Sequence, residues 1–357
     1  AMGTILAGSY ERFLFGFTVP RGAVEAVGSE DDEPPSGLQL QESFAYAPHM
    51  GPVKCVHSAG NYAATGGTDD MIRIYDLKNK KDLGQLVNHE GSVTSVRFFG
   101  QGYQPSHLLS GGEDGRLNIW QCKGWGHLKS MSGHKGTIND IGVHPSGRLA
   151  LTVGQDKTMR MWNLVKGRCI YNHKLKGAAE PELIRFNPVG LHYSVAAGHK
   201  LDVYTVEVTG TPFAVMEHAS RITCMAQSHD DVVVTGCEGG AVAAWDTRSE
   251  SRALDLPEAH KSRIRGVALP GGAELESHAA PLPALIASAS SDGVVKLWDP
   301  RHTGPLHFIG ENPQNPGEIA ILITQVGCSP YPTQEILQIW SCLVYVLMRP
   351  PLSRPHL

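Results

Sequence analysis

The chain has 357 residues, seven cysteines and a formal net charge of −4. This charge excludes a strong general attraction to nucleic acid or to a membrane surface. The number of cysteines is odd and none form a Cys-x-x-Cys pair, which argues against a disulfide framework and favours a reduced, intracellular compartment. Glu11 and Arg12 interrupt the apolar stretch near the N-terminus, so we expect no secretory signal peptide.

The first predicted element is an apolar segment at residues 6–19, which indicates one strand. An acidic, proline-rich segment at residues 30–37 follows it and predicts a loop. The place of this strand in the fold depends on the repeats that come after the loop.

From residue 49 onward, a histidine is followed by apolar residues at positions +4 and +7 and then, 26 to 38 residues after it, by Trp or Tyr. This unit occurs five times, and a sixth, weaker unit ends at Tyr204. Successive aromatic residues lie 41 to 53 residues apart, which is the period of WD-repeat β-propellers. The sequence therefore predicts an all-β WD-repeat β-propeller, a fold that more often binds partners than catalyses reactions.

Each unit predicts strands joined by turns, together with a set of polar residues that form hydrogen bonds with one another. In the unit that begins at His134, strands are predicted over 138–143, 149–153 and 158–163. An Asp accepts hydrogen bonds from the imidazole, and a Ser or Thr hydroxyl links the imidazole to the indole, so no buried polar group is left unpaired. The predicted sets are His49, Thr65, Asp69 and Tyr75; His89, Ser110, Asp114 and Trp120; His134, Thr152, Asp156 and Trp162; His218, Thr235 and Trp245; and His260, Ser288, Asp292 and Trp298.

Two units depart from this pattern. In the fifth unit, Gly239 stands where the Asp is expected. The fourth unit, at about residues 173 to 205, has no clear histidine, and Gly198 replaces the Asp. Ser194 and Tyr204 are the members that remain. We therefore expect the fourth blade to be held by packing alone and to be looser than the others.

The repeated Ser or Thr, His and Asp residues also invite a metal site or a hydrolytic triad as interpretations. However, each histidine with a predicted Asp has that Asp within its own repeat, and an enzyme does not need its nucleophile five times. We therefore predict that these residues are structural. No catalytic residue, metal site, cofactor or small-molecule substrate is predicted.

Six units and the N-terminal strand predict seven blades, with that strand closing the last blade and the C-terminal segment supplying its other strands. We accordingly assign residues 1–310 to the propeller and 311–357 to an atypical segment, either a partial blade or disordered. Residues 319–326 predict one strand. The apolar run at 336–348 has 13 residues, too few to span a membrane, and is assigned to a core strand or to disorder.

Three runs resemble one WD-repeat group: LAGSYERFLFGF at the N-terminus, HPSGRLALTVGQDKTMRMWNLVKGR at 144–168 and SASSDGVVKLWD at 288–299. This group is the family of PAK-kinase-interacting proteins, with the maintenance-of-killer ribosome factors of yeast, and the resemblance covers about residues 6–310. The resemblance implies a seven-bladed scaffold that lies in the nucleus, in the nucleolus, and acts in assembly of the large ribosomal subunit. The partners that it implies are pre-ribosomal proteins and ribosomal RNA. The alternative that it implies is an adaptor that restrains a PAK-type kinase.

The resemblance does not extend to the Lys-rich tail that members of this family usually have, because the chain ends in Arg349-Pro350-Pro351 and Arg354-Pro355-His356-Leu357. A cytoplasmic location is therefore the alternative to the nucleolus.

Three arginines indicate where a partner binds. Arg221 and Arg263 stand three residues after their histidines, and Arg265 follows two residues later, whereas the other units mostly have neutral residues there. Arginine suits carboxylates and phosphates, so these side chains predict a face that binds ribosomal RNA or an acidic protein segment. The alternative is ordinary solvated charge.

Overall fold

Every regular element in the described part of this computed structural model is a β-strand, and the strands form seven antiparallel sheets. The structure describes residues 4–8, 12–18, 41–47, 49–100, 104–175, 177, 179–207, 210–228, 231–269, 286–291, 294–298, 305–309, 322–323 and 343–345. Repeated four-stranded sheets in this order confirm the all-β propeller prediction.

The N-terminal strands are β1 (Thr4–Gly8), β2 (Leu14–Thr18) and β3 (Gln41–Tyr46). Six four-stranded sheets follow, which we call blades one to six. Blade one has β4 (Val53–Ala59), β5 (Tyr62–Gly67), β6 (Met71–Asp76) and β7 (Lys81–Val87). Blade two has β8 (Val93–Phe99), β9 (His107–Gly112), β10 (Arg116–Gln121) and β11 (His127–Ser132). Blade three has β12 (Ile138–Val143), β13 (Leu149–Gly154), β14 (Thr158–Asn163) and β15 (Arg168–Lys174).

Blade four has β16 (Pro181–Phe186), β17 (His192–Ala197), β18 (Lys200–Thr205) and β19 (Ala214–Glu217). Blade five has β20 (Ile222–Gln227), β21 (Val232–Cys237), β22 (Val242–Asp246) and β23 (Ser251–Leu256). Blade six has β24 (Ile264–Ala268), β25 (Ile286–Ser290), β26 (Val295–Trp298) and β27 (Pro305–Ile309). The last strands are β28 (Leu322–Ile323) and β29 (Leu343–Tyr345), which join β1, β2 and β3 in a five-stranded sheet that we call the closing sheet.

The core of the molecule lies between neighbouring blades. The first strands, β4, β8, β12, β16, β20 and β24, contact one another in succession and form the inner wall of the ring. The second strands, such as β9 and β13, are buried along nearly their whole length because blades cover both faces. By contrast, the fourth strand β11 is mostly exposed. This gradient follows from stacking sheets face to face, since neighbouring blades cover the outer strands least.

The closing sheet completes the ring between blade six and blade one. β28 and β29 contact β24, and β1 and β29 contact β4. Leu6 and Leu14 are fully buried and pack with Val53, Val56 and other apolar side chains of blade one. The N-terminal strands are thus an integral part of the inter-blade core.

One strand prediction differs from the structure. The single strand expected over 6–19 is a hairpin of β1 and β2, because polar residues interrupt the apolar run and Arg12 adopts a left-handed φ of 70°. Within 319–326 the structure describes Leu322–Ile323, which form β28, and within 336–348 it describes Leu343–Tyr345, which form β29; the other residues of both ranges lie outside the described residues, so these two predictions stay predictions. By contrast, the strands expected at 138–143 and 158–163 are confirmed.

The loop predicted at residues 30–37 and most of residues 311–357 lie outside the described residues. The number of complete blades and the boundary near residue 310 therefore stay predictions.

Candidate functional site

A chain of hydrogen bonds links the histidine turn, the second strand and the third strand in blades two and three. In blade two, His89 Nδ1 lies 3.0 Å from Asp114 Oδ2, and His89 Nε2 lies 2.8 Å from the Ser110 hydroxyl. Trp120 Nε1 donates to the same hydroxyl over 2.9 Å. Because Asp114 can only accept, Nδ1 donates to it and Nε2 accepts from Ser110. The predicted set therefore comes together as one network.

The corresponding distances recur in blade three, where His134 contacts Asp156 at 3.0 Å and Thr152 at 2.7 Å, and Trp162 donates to Thr152 over 2.8 Å. In blade one, His49 contacts Asp69 at 2.9 Å and Thr65 at 2.7 Å, whereas the Tyr75 hydroxyl is 3.5 Å from Thr65. In blade six, Ser288 lies 2.7 Å from both His260 Nε2 and Trp298 Nε1; Asp292 lies outside the described residues.

The electrostatics of these sets favour an architectural role. Burial raises the pKa of Asp156, but hydrogen bonds from the Lys135 amide, His134 and Thr158 outweigh it and lower the pKa to about 2. Burial also lowers the pKa of His134, although Asp156 opposes that shift. The Thr152 hydroxyl is fully buried, as are the hydroxyl residues at this position in the other four units. A hydroxyl that is enclosed between blades is not accessible from solvent, and the hydrogen bonds of each set join strands of its own blade.

The network of blade five is incomplete. His218 Nε2 is 3.4 Å from the Thr235 hydroxyl, and the buried Trp245 Nε1 has no hydrogen-bond partner among the described residues. Gly239 supplies no carboxylate, and the Cys237 thiol lies 3.5 Å from His218 Nδ1 instead. Cys237 occupies the register position of Gly154 in blade three, where an added Cβ would lie 2.7 Å from the histidine Nδ1. Two substitutions thus explain the weak set, and only the missing Asp was visible in the sequence pattern.

The prediction for Ser194 in blade four is wrong. In blade four, strand register pairs the aromatic residue Tyr204 with Tyr193. In blade three, the corresponding Trp162 pairs with the residue two positions before the network hydroxyl residue Thr152. The same offset places Val195 at the hydroxyl position in blade four. Ser194 faces the neighbouring blade instead, where its hydroxyl accepts a hydrogen bond from Gln227 Nε2 over 2.6 Å. The expected looseness of this blade stays a prediction.

The predicted arginines lie where the turn before a first strand meets the hairpin after a second strand. The Glu238 amide donates to the Arg221 carbonyl, and the Ser291 amide donates to the Arg263 carbonyl. The Arg221 side chain pairs with Glu182 of blade four, with 2.7 Å between Nη2 and Oε2, and remains 52% accessible. Arg263 pairs with Glu238 of blade five. Arg265 is half-buried on β24. Two of the three charges are thus already balanced across blade boundaries.

A second charged cluster, which the sequence analysis missed, lies on the inner wall. Asp140 of β12 accepts hydrogen bonds from Arg97 Nη2 at 3.0 Å and from Arg185 Nη1. These residues come from three blades, and each lies within a strand that the repeat pattern treats as apolar. The signal that could have found them is the charge itself, because the other units have Cys, Ser, Leu or Gly at the position of Asp140 and His, Gly or Ala at the position of Arg97 and Arg185.

Two further findings concern metal sites and membrane spans in the described residues. Within the described residues, no three His, Cys, Asp or Glu side chains form a group that could hold a metal ion. The same part of the chain contains no helix that is long and apolar enough to cross a membrane.

Comparisons with known proteins agree with this architecture. The WD domain, G-beta repeat family matches residues 41–76, 80–121, 125–163 and 254–299, which leaves unmatched the two units with incomplete sets. A crystal structure of the computationally designed Ika8 protein shares the fold, with a TM-score of 0.56 and 21% identity over 72% of this chain and 74% of that chain.

Among relatives, Protein MAK11 of Saccharomyces cerevisiae is 29% identical over 52% of this chain and 45% of its own length. The p21-activated protein kinase-interacting protein 1 of Homo sapiens is 34% identical over 82% of this chain and 69% of its own length. At that identity and coverage, the chain belongs to the WD-repeat family of p21-activated protein kinase-interacting protein 1.

Proposed function

We propose that the chain is a non-enzymatic interaction scaffold. The observation that supports this best is the contrast between its two kinds of polar group. The Ser or Thr and His residues that resemble catalytic groups are buried inside blades, whereas Arg221 and its partner Glu182 remain partly accessible on one face. A rigid ring with accessible charge at a face is suited to binding macromolecules.

The process in which this scaffold acts is proposed to be assembly of the large ribosomal subunit, including rRNA processing. The similarity to Protein MAK11 supports this assignment together with the resemblance to the maintenance-of-killer factors. Its partners are then proteins of pre-ribosomal particles, with ribosomal RNA as a second class, and its location is the nucleolus.

A second candidate function is regulation of a p21-activated kinase. The relative with 34% identity has a name that states an interaction with such a kinase. In this case the scaffold binds the kinase and restrains it, and the acidic partner is a protein segment rather than RNA.

We propose that Arg221, Arg263 and Arg265 form the partner-binding face in either case. A partner phosphate or carboxylate would have to displace Glu182 from Arg221, and this exchange is cheap because an exposed ion pair is worth only about 0 to 1 kcal/mol. A bidentate contact to a partner compensates for that loss.

The experiment is gradient sedimentation of the tagged chain from cell lysate, with and without RNase. Co-migration with particles that precede the large subunit supports the assembly role, and RNase sensitivity indicates that RNA holds the complex together. Sedimentation as a folded light species that recovers a p21-activated kinase supports the second candidate instead. A folded light species without a kinase contradicts both.

Glutamine at Arg221, Arg263 and Arg265 together tests the proposed face. We expect partner recovery to fall at least tenfold while the circular dichroism spectrum is unchanged. The matched control places glutamine at three exposed arginines elsewhere, Arg148, Arg168 and Arg248, and removes the same total charge. Equal recovery by both triple variants would show that the face lies elsewhere.

A further inference from the structure

Six residues occupy equivalent positions on the first strands of the six blades. Each pairs with the second-strand residue directly before the one that carries the network hydroxyl, or directly before Val195 in blade four. We call them the inner ring; they are His57, Arg97, Gly142, Arg185, Ala226 and Ala268. Three members are able to carry positive charge and three have little or no side chain. Small residues at this level leave room beside the large ones.

The charged members of the inner ring converge although they belong to different blades. Burial, followed by the charges of Arg97 and Arg185, lowers the pKa of His57 well below its usual value. The convergence rests on hydrogen bonds, because Arg97 of blade two and Arg185 of blade four both reach Asp140 of blade three. His57 Nδ1 accepts a hydrogen bond from the Phe98 amide over 3.2 Å, so the neutral ring has its proton on Nε2.

Asp140 cannot neutralise this cluster by itself. Its carboxylate accepts from the Ser95 hydroxyl at 3.0 Å, from the Ile184 amide at 3.1 Å and from both Arg97 and Arg185. One negative charge thus balances two guanidinium groups, and its lone pairs are fully used. Burial and the nearby Arg185 lower the pKa of Arg97 to about 10, and Asp140 is the one described carboxylate that opposes this shift.

Donors remain available in the same place. Arg185 uses Nη1 for Asp140 and for the Ile184 carbonyl, and its Nε and Nη2 have no acceptor among the described residues. The side chain keeps 28% of its surface accessible, and that of Arg97 keeps 16%, although both lie on the inner wall of the ring. This combination of depth and accessibility is what residues around a central channel show.

We propose that the inner ring binds a small multivalent oxyanion, a phosphate or a carboxylate compound, through Arg185 and Arg97 with His57 Nε2 as a further donor. The bound anion supplies the negative charge that Asp140 leaves unbalanced, and guanidinium groups match the geometry of its oxygens. This site is separate from the arginine face of the proposed function, so each can fail without the other. The anion would also tie blades one, two and four together at the centre of the ring.

The test is calorimetric titration of the purified full chain with pyrophosphate and, in parallel, with citrate, at constant ionic strength. One saturable site for either probe supports the proposal, and the stronger probe identifies the oxyanion class. We expect Arg185→Gln to weaken binding at least tenfold. The control Arg252→Gln removes a partly exposed guanidinium on the outer strand of blade five and should bind like the parent chain.

Asp140→Asn is expected to change the affinity for the probe in the opposite direction, and it keeps the proposal testable if the arginine variant does not fold. Removing the competing carboxylate should tighten binding of the preferred probe about tenfold. Absence of saturable binding by the parent chain would overturn the proposal. Equal affinities of the parent, Arg185→Gln and Asp140→Asn chains would overturn it as well, because the heat would then come from general ion effects.

Discussion

At the scale of single residues, His218 differs from His49, His89 and His134 because no carboxylate among the described residues is hydrogen-bonded to it. Its neighbours are the Cys237 thiol, the Arg252 and Asp255 side chains and His199. Burial, and then the charge of Arg252, lowers the pKa of His218 to about 4. In blades one and three, Asp69 and Asp156 oppose the corresponding shifts of His49 and His134. His218 is thus the network histidine to which we assign a stability effect in mild acid.

The direction of that effect follows from linkage. The unfolded chain protonates His218 near pH 6.5 and the folded chain near pH 4, so the stabilisation is complete above pH 6.5 and is lost as the pH falls toward 4. Between pH 7 and pH 5, we predict that the free energy of unfolding falls by about 2 kcal/mol less for His218→Gln than for the parent chain. Urea unfolding at a series of pH values measures this. The control is His127→Gln at an exposed histidine, and parallel curves for all three chains would contradict the prediction.

Residue-scale features could be predicted where partners recur at a fixed spacing within one unit. The networks of His89 and His134 are of this kind, because strand, turn and strand bring their members together locally. The Asp140 cluster could not be predicted in this way, since its partners Arg97 and Arg185 lie 43 and 45 residues away. The assignment of Ser194 was wrong because the shorter hairpin of blade four moves the hydroxyl position by one residue, and register alone reveals that.

At the scale of elements, blade five shows the effect of an incomplete hydrogen-bond network within a blade. Trp245 keeps its buried position, yet its indole N–H has no acceptor in the part of the chain that the structure describes, and an unpaired buried donor costs about 1 to 3 kcal/mol. The Gly239 backbone could accept an Asp because it has no left-handed φ, and the Ser220 hydroxyl, 3.2 Å from an added Cβ, would have to shift by a few tenths of an ångström. The next residue, Gly240, already has the left-handed φ of 84° that the turn requires.

We predict that Cys237→Gly together with Gly239→Asp stabilises the chain by about 1 to 2 kcal/mol, the net value of one or two restored hydrogen bonds. Each single change should stabilise less than half as much, because the Asp needs the space that the thiol occupies beside His218. Chemical unfolding of the four chains of this cycle gives the coupling energy. Strict additivity of the two changes would contradict the proposed competition for His218 Nδ1.

At the scale of the whole molecule, the closing sheet decides whether the blades behave as one ring. Its strand β1 contacts blade one, and β28 and β29 contact blade six. These contacts connect the two ends of the chain, whereas every other blade interface connects neighbours in sequence. The sequence predicted an N-terminal strand in this place, but not the hairpin, although the polar residues that interrupt the apolar run before β2 indicate where the turn lies.

We predict that Leu6→Ala destabilises the whole ring by about 2 to 4 kcal/mol, the usual cost of a cavity at a fully buried leucine. The loss should appear in one cooperative transition, because the cavity opens between the closing sheet and blade one. Hydrogen exchange of the first strands of blades one and six, β4 and β24, measures this, and both should lose protection equally. Leu128→Ala on the exposed strand β11 is the control. Lost protection confined to residues 4–18 would instead show that the closing sheet is a separate unit.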